Sequence, residues 1–311
     1  MFVRRHFLLF VALLAIVFAV FKGATVWQRE PAQATNSPGT PSDEFRKYWF
    51  AGKAELSSYT LDQVQYGHPN PGEAVLIFVT EDFRTDRQVK LESKDRGKAT
   101  TVLKLNAVRK FVTGIYDYSV MTSVFTPVET RLFPHALKAT ASVQEWCGQT
   151  YQQLNLRGRQ YHVTGHSYFE KEADDERRFD RAWLEDELWT RLRLDPESLP
   201  VGDVEVVPSL LFSRLKHQPL KPEAARASLA DSTFQGLNLR AYTLVYPALS
   251  RRLILFFERA FPHQIMGWEE TSVANGKSLT TRAVRKKTLK IDYWNHNHPA
   301  DQALRDSLAL R

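Results

Sequence analysis

Cysteine is almost absent from this chain, and so are the short motifs of nucleotide and serine-hydrolase chemistry. The 311 residues contain one cysteine, Cys147, which excludes a disulfide-stapled scaffold and leaves no cysteine for a lipoprotein anchor. There is no G-x-x-x-x-G-K-[ST], no G-x-G-x-x-G after a predicted strand and no G-x-S-x-G. We therefore predict no cofactor, and an enzyme has no support from motifs.

The charge balance is mild. The net charge is +7, and the first thirty residues contribute four basic residues against one acidic residue. The small remainder gives no support for nucleic-acid binding. A hydrophobic fraction of 43% and a charged fraction of 25% are ordinary globular values and exclude a wholly disordered chain.

The first thirty residues set the compartment. Arg4 and Arg5 precede an unbroken apolar run at 7–21, and Trp27 follows at the length that spans a bilayer core. We expect residues 1–30 to be a single-pass inner-membrane anchor, with a cytoplasmic N-terminus and a periplasmic C-terminal domain. The alternative is a signal peptide, whose cleavage at 32–34 would leave a periplasmic or secreted protein.

Residues 31–42 contain three prolines among small and polar residues, which predicts a flexible tether. From Lys53 onward most segments alternate apolar with polar residues, as strands with one solvated face do. Helices are predicted at four places only: from Ser42, at 180–194, at 222–231 and at 299–310, while 170–181 is predicted to be a solvated loop. Residues 43–311 thus predict an all-β to β-dominated α+β domain, a large curved antiparallel sheet or partly closed barrel with a few short helices.

Two local clusters are candidates for a site. Trp146 and Cys147 lie in an unusual run at 144–151, where Cys147 is either a nucleophile with His162 or His166 as its base, or a core residue beside a bulge at Gly148. The core interpretation is favoured because nothing nearby guarantees a thiolate.

The second cluster consists of His162, His166, Glu170 and Glu172. Their even spacing places them on one face of an uninterrupted strand, as metal ligands would be. Gly165 makes such a strand doubtful, His296 and His298 form only a pair, and we predict no metal site. The ligand-binding candidates are therefore Trp146, Cys147, His166 and Glu170.

Several segments resemble an uncharacterised bacterial family of membrane-anchored or secreted proteins, often labelled "septum formation inhibitor Maf". The resemblance covers most of 43–295 and is carried by segments at 73–83, 101–106, 114–128, 144–155, 184–189 and 214–217. Maf proteins proper are cytoplasmic nucleotide pyrophosphatases of α/β fold with a Ser-Pro-Arg-Arg type loop. This chain lacks that loop, so the label implies no catalytic residue here. Residues 252–271 also resemble the closing hairpin of periplasmic proteins with a curved, barrel-like sheet.

These observations favour a non-enzymatic envelope protein, a binding or scaffolding module for a lipid-like ligand or a partner protein. A structural protein that only scaffolds an assembly would instead expose an apolar patch. Aromatic residues make up 12% of the chain, enough to line an apolar pocket in the concave face or to fill the core. The alternative is a secreted hydrolase that uses the His/Glu region or Cys147, and the two differ in the cavity they require.

Overall fold

The structure is a computed structural model that describes residues 42–274 and 276–310. The predicted anchor and almost all of the predicted tether lie outside this range. Within it, no helix combines the length and the apolar character needed to cross a bilayer. The domain forms one compact unit from Ser42 onward.

Strands dominate this unit, at 57% strand against 15% helix. The strands are β1 (Ala54–Gln65), β2 (His68–Arg84), β3 (Val89–Lys90), β4 (Ala99–Thr113), β5 (Tyr116–Pro127), β6 (Lys138–Glu145), β7 (Gly148–Arg157), β8 (Gln160–Ser167), β9 (Asp175–Asp180), β10 (Trp183–Leu184), β11 (Gly202–Val207), β12 (Glu223–Phe234), β13 (Leu237–Tyr246), β14 (Arg251–Phe257), β15 (Ile265–Ala274) and β16 (Lys277–Ile291). The α-helices are α1 (Asp43–Trp49), α2 (Glu185–Leu194), α3 (Leu210–Leu215) and α4 (Leu304–Ser307). Short 3-10 turns cover Pro196–Ser198, Pro247–Leu249, Tyr293–Asn295 and Pro299–Ala303.

All these strands belong to one open sheet. Its order is β10-β11-β12-β13-β14-β15-β16-β1-β2-β4-β5-β6-β7-β8-β9, with β3 added beside β2. Neighbours are antiparallel except for the short parallel pair β10–β11. The predicted fold class, a large curved antiparallel sheet with a few short helices, is confirmed.

The two edges of the sheet are consecutive in sequence. β9 ends at Asp180 and β10 begins at Trp183, yet these strands stand at opposite ends of the strand order. Three residues of extended chain reach at most about 11 Å, so the sheet must curl until its edges nearly meet. We call the gap between β9 and β10 the seam.

Helix α2 fills the inside of the curl. Residues 185–193 are all buried, and the helix packs against β4 and β5. Its apolar side chains Leu188, Trp189 and Leu192 belong to the main core, together with Trp49, Tyr59, Phe78 and Trp268. The predicted Leu184/Leu188/Leu192 stripe is therefore a packing face, as its spacing suggested.

The charged side chains of α2 are buried with partners. Glu185 pairs with Arg251 of β14, and Arg193 pairs with Glu55 of β1. Glu187 accepts the backbone N–H groups of Leu184 and Ala136. Buried charges persist only where such partners satisfy them, so these contacts fix α2 inside the sheet.

Three local predictions fail for identifiable reasons. Residues 222–231 form most of β12, because Ala225 and Ala227 face the core while Arg226 and Ser228 face outward, a period of two. The predicted solvated loop at 170–181 ends in edge strand β9. The predicted C-terminal helix is a 3-10 turn followed by the short α4. By contrast, Ser42 caps α1 as predicted, accepting the N–H of Phe45 at 3.1 Å.

Candidate functional site

Four neighbouring hairpins end in large uncharged side chains. The hairpins β1–β2, β4–β5, β6–β7 and β8–β9 are consecutive in the sheet, and their connections lie at the same end. Each connection presents one such residue to solvent: Tyr66 (61% exposed), Ile115 (82%), Trp146 (68%) and Tyr168 (72%). We call these four residues the tip row. With strands about 4.8 Å apart, the row spans roughly 30 Å.

Two tight turns at the opposite end of the sheet have a different composition. The two-residue turns of β7–β8 and β12–β13 carry Gly158-Arg159 and Gln235-Gly236. Such polar and glycine residues are what tight turns usually contain. Large apolar side chains are therefore not present in every connection, although Leu132 in the longer β5–β6 connection at the opposite end is also 74% exposed. What distinguishes the tip row is that such a side chain occurs at four adjacent hairpins.

Tyrosine side chains of β5 contact two members of the tip row, Tyr66 and Trp146. The hydroxyls of Tyr66 and Tyr118 are 2.7 Å apart, and ring centroids step from Tyr66 to Tyr116 (6.4 Å) and on to Trp146 (6.3 Å). Tyr66 sits at φ 55°, a left-handed conformation that is unusual for a bulky residue. Two members of the row, Tyr66 and Trp146, are thus connected through Tyr116 by a series of aromatic contacts.

Tyr168 is seated on Gly148. A Cβ added at Gly148 would lie 2.6 Å from the Tyr168 ring, so only glycine permits this contact. The predicted bulge at Gly148 is instead the first residue of β7, at the end of a two-residue turn.

Cys147 is exposed in that turn, so the prediction of a core cysteine is wrong. Its backbone N–H donates to Glu145 Oε2 at 2.9 Å. A hydrogen bond to Glu145 and that residue's charge raise the pKa of the Cys147 thiol above its ordinary value. This environment opposes thiolate formation and argues against a nucleophile.

The His/Glu cluster does not converge. His162 and His166 alternate with buried Tyr161 and Val163, so both face outward from β8, and His166 Nδ1 lies 3.1 Å from Asp174. The strand ends at Ser167, which leaves Glu170 exposed in the following loop and turns Glu172 inward. Among residues 42–274 and 276–310 no group of three His, Cys, Asp or Glu side chains could hold a metal.

A polar cleft of about 250 Å³ opens beside the seam, near Tyr168. We call it the seam cleft; its walls are the inner faces of β7, β8 and β9, the loop at 171–173, and α3 with the residues after it. Arg214 of α3 is buried there, and it donates to Thr150 Oγ1 at 3.2 Å and to Glu172 Oε1 at 3.3 Å. His217 Nδ1 lies 2.6 Å from the same Glu172 oxygen. His166 reaches the rim, whereas Trp146, Cys147 and Glu170 do not line the cleft.

The seam cleft lacks the contact on which a serine hydrolase depends. Ser213 Oγ is buried in its wall and makes no hydrogen bond, and Ser167 Oγ donates to Glu172 rather than to a histidine. Nucleophilic catalysis requires a base within hydrogen-bond reach of the nucleophile. The arrangement suits binding better than acyl transfer.

A second charged group lies inside the curl, beneath α3. Arg251 bridges Glu185 and Glu270, while Asp186 Oδ2 accepts the N–H of Leu210 at 2.9 Å. The pKa of Asp186 is raised to about 7, chiefly because the carboxyl is buried and also because Glu185 is close by; the N–H of Leu210 and the charges of Arg109 and Arg251 act in the opposite direction. The two cavities here have volumes of only about 20 Å³ each, close to one water molecule.

Sequence reasoning found part of these sites. It singled out Trp146, His166 and the 162–172 region, but it missed the tip residues Tyr66, Ile115 and Tyr168 and the α3 residues Ser213 and Arg214. A large side chain directly beside a turn glycine, as in Tyr66-Gly67 and Gly114-Ile115, was the available signal. Comparison with protein-family models, with curated proteins and with solved structures finds no match for this chain.

Proposed function

We propose that this chain is a non-catalytic docking module of the bacterial cell envelope, held at the inner membrane by residues 1–30, whose tip row contacts the headgroup region of a lipid surface. The main observation behind this proposal is that each of four adjacent hairpins has one large uncharged side chain exposed at its tip. The resemblance of residues 43–295 to membrane-anchored or secreted bacterial proteins supports the same compartment.

The chemistry of the row suits a lipid interface. Tyrosine and tryptophan combine an apolar ring with a polar group, and they concentrate at the level of lipid headgroups. Single side chains that project from separate turns enter a soft headgroup layer without needing a matching partner surface. Because no member of the row is charged, the contact depends on apolar burial rather than on anionic lipid.

The inside of the sheet gives no support to an internal lipid pocket. Helix α2 occupies the concave face, and the interior cavities beneath α3 are about 20 Å³ each and lined by charged residues. A ligand pocket for a lipid needs several hundred Å³ with mostly apolar walls. We therefore propose that the lipid contact is made at the rim of the sheet and not in its interior.

The place at which the chain enters the domain, at residue 42, shows which way the tip row faces. Helix α1 packs beside Glu55 and Thr80, at the end of β1 and β2 opposite to Tyr66. The twelve residues of β1 separate these ends by about 40 Å. The tip row thus faces away from the end at which residue 42 enters the domain.

Cys147 provides a natural probe beside Trp146. The full chain, placed in lipid nanodiscs, is labelled at Cys147 with an environment-sensitive fluorophore and mixed with phosphatidylethanolamine/phosphatidylglycerol vesicles. We expect a blue-shifted emission and quenching by nitroxide lipids. The matched control carries C147S and R159C, which moves the label to a turn at the opposite end and should leave it in water. An aqueous signal from Cys147, with and without vesicles, would contradict the proposal.

A further inference from the structure

The seam cleft contains polar groups that the protein itself leaves unsatisfied. Ser213 is 2% exposed, and its hydroxyl makes no hydrogen bond. The side-chain oxygen of Gln152, on the opposite wall, is also buried without a donor. Buried polar atoms nearly always have partners, since each orphan costs about 1–3 kcal/mol. Arg177 Nε in the same wall also makes no hydrogen bond, although it lies 2.8 Å from Asp175 Oδ2. Unsatisfied polar atoms around one cleft indicate that a bound molecule supplies the missing partners.

Among the described charged side chains that line the seam cleft, one cation has no carboxylate partner. Glu172 is shared by Arg214, His217 and Ser167, and Asp175 pairs with Arg177 at 2.8 Å. Lys171 also lines the cleft, and within the described residues it forms no ion pair. Both carboxylates are therefore engaged, and the unmatched charge is the Lys171 ammonium.

Gly165 forms the floor of the seam cleft, and its lack of a side chain leaves the space above it open. Gly165 pairs with Gln152 and Asp175 in the β7–β8–β9 ladder and faces inward, like its neighbour Val163 two residues away. A Cβ at Gly165 would meet Asp175 Cβ at 3.7 Å and Gln152 Cγ at 3.9 Å, which are ordinary contacts. Alanine therefore fits, whereas a longer side chain would extend into the space of the cleft.

We propose that the seam cleft binds a small acid that carries a carboxylate together with a hydrogen-bond donor. The carboxylate faces Lys171, the donor meets Gln152 Oε1, and Ser213 Oγ supplies a further hydrogen bond. A volume of about 250 Å³ is below that of most pockets for drug-sized ligands and suits a molecule of a few heavy atoms or the last residue of a peptide. This site is separate from the tip row and does not depend on lipid contact.

The same chemistry occurs in free hydroxy or amino acids and at the C-terminus of a peptide. Calorimetric titration of the full chain in detergent with lactate, glycine and N-acetylglycine distinguishes these sources, since N-acetylglycine reproduces a peptide C-terminus. N-acetylglycinamide, which lacks the carboxylate, is the neutral control. We expect at least one of the acids to bind at least tenfold more tightly than the amide.

Variants then locate the binding. Lys171 is exposed, so Lys171→Gln leaves the fold intact and should weaken acid binding at least tenfold, the effect of losing a charged hydrogen bond. Gly165→Leu should abolish binding, while the matched Gly165→Ala should retain it. Equal affinity of acid and amide, no binding of any probe at millimolar concentration, or unchanged binding in Lys171→Gln would overturn the proposal. Because the fluorophore at Cys147 reports only on the tip row, failure here leaves the docking proposal untouched.

Discussion

Arg193 and Glu55 form a bidentate ion pair at 2.6 and 2.7 Å, and each side chain is 1% exposed. Arg193 also donates to Pro262 O, and its guanidinium lies over the rings of Trp49 and Phe78. This pair connects the C-terminal end of α2 to β1. Removing one partner strands the other charge in the core, so we expect Glu55→Gln to lower the free energy of unfolding by about 3–5 kcal/mol in urea titrations.

The pair also makes a prediction about coupling. Arg193→Met alone should be similarly destabilising, but Arg193→Met combined with Glu55→Gln should cost clearly less than the two single changes added together. Strictly additive losses would show that the two side chains do not stabilise each other.

Asp186 should make stability depend on pH. Its pKa is about 7 in the fold against 3.8 for a free side chain, because burial disfavours the carboxylate. The folded state therefore holds the proton more tightly than the unfolded chain. This stabilisation is complete below about pH 4 and is lost as the pH rises through 7, by an amount on the order of 4 kcal/mol.

Asp186→Asn keeps an oxygen for the N–H of Leu210 but removes the titration. We expect the variant to melt at a higher temperature than the parent at pH 8 and close to it at pH 5. A difference in melting temperature that is the same at both values would argue against a titrating Asp186.

Gly267 is required by close packing rather than by turn geometry. A Cβ there would lie 2.4 Å from Ala283 O and 2.5 Å from the Phe234 ring. Since neither the β16 backbone nor the buried ring can withdraw freely, Gly267→Ala should cost about 2–3 kcal/mol. Gly165→Ala is the matched control and should change stability little; equal losses in urea titrations would contradict this account of the packing.

The tip row should be dispensable for folding. Ile115 is 82% exposed, and Ile115→Ser should change the free energy of unfolding by no more than about 0.5 kcal/mol. Combined with Trp146→Ser it should nonetheless abolish the blue shift of the fluorophore at Cys147. Loss of the fold, or an unchanged fluorescence shift, would each show that the row has another role.

The sequence predicts individual strands and helices well where a short segment shows the hydrophobic periodicity of its own element. The apolar run at 73–79 lies inside β2, the alternation at 101–106 lies inside β4, and the leucine spacing of 184, 188 and 192 predicts a buried helical face. β12 was missed because proline and alanine at 222–225 favour a helix, whereas packing of Ala225 and Ala227 against the core decides for a strand.

The sites are harder to predict because they are assembled from distant segments. Gln152 and Ser213 meet across the seam cleft only because the sheet curls and α3 covers its end. Trp146 and Cys147 show no local sign of exposure, since the same residues would suit a core. Tyr66, Ile115 and Tyr168 acquire meaning only once strand order places their hairpins side by side.

The most direct test of the docking proposal is photocrosslinking in intact producing cells. A photoreactive phenylalanine derivative is placed at Trp146 of the full chain, and in a control chain at Arg159, and the products are identified by mass spectrometry. We expect phospholipid adducts at position 146 and none at 159. A protein adduct at 146, or lipid adducts of equal yield at both positions, would contradict a lipid-docking tip row.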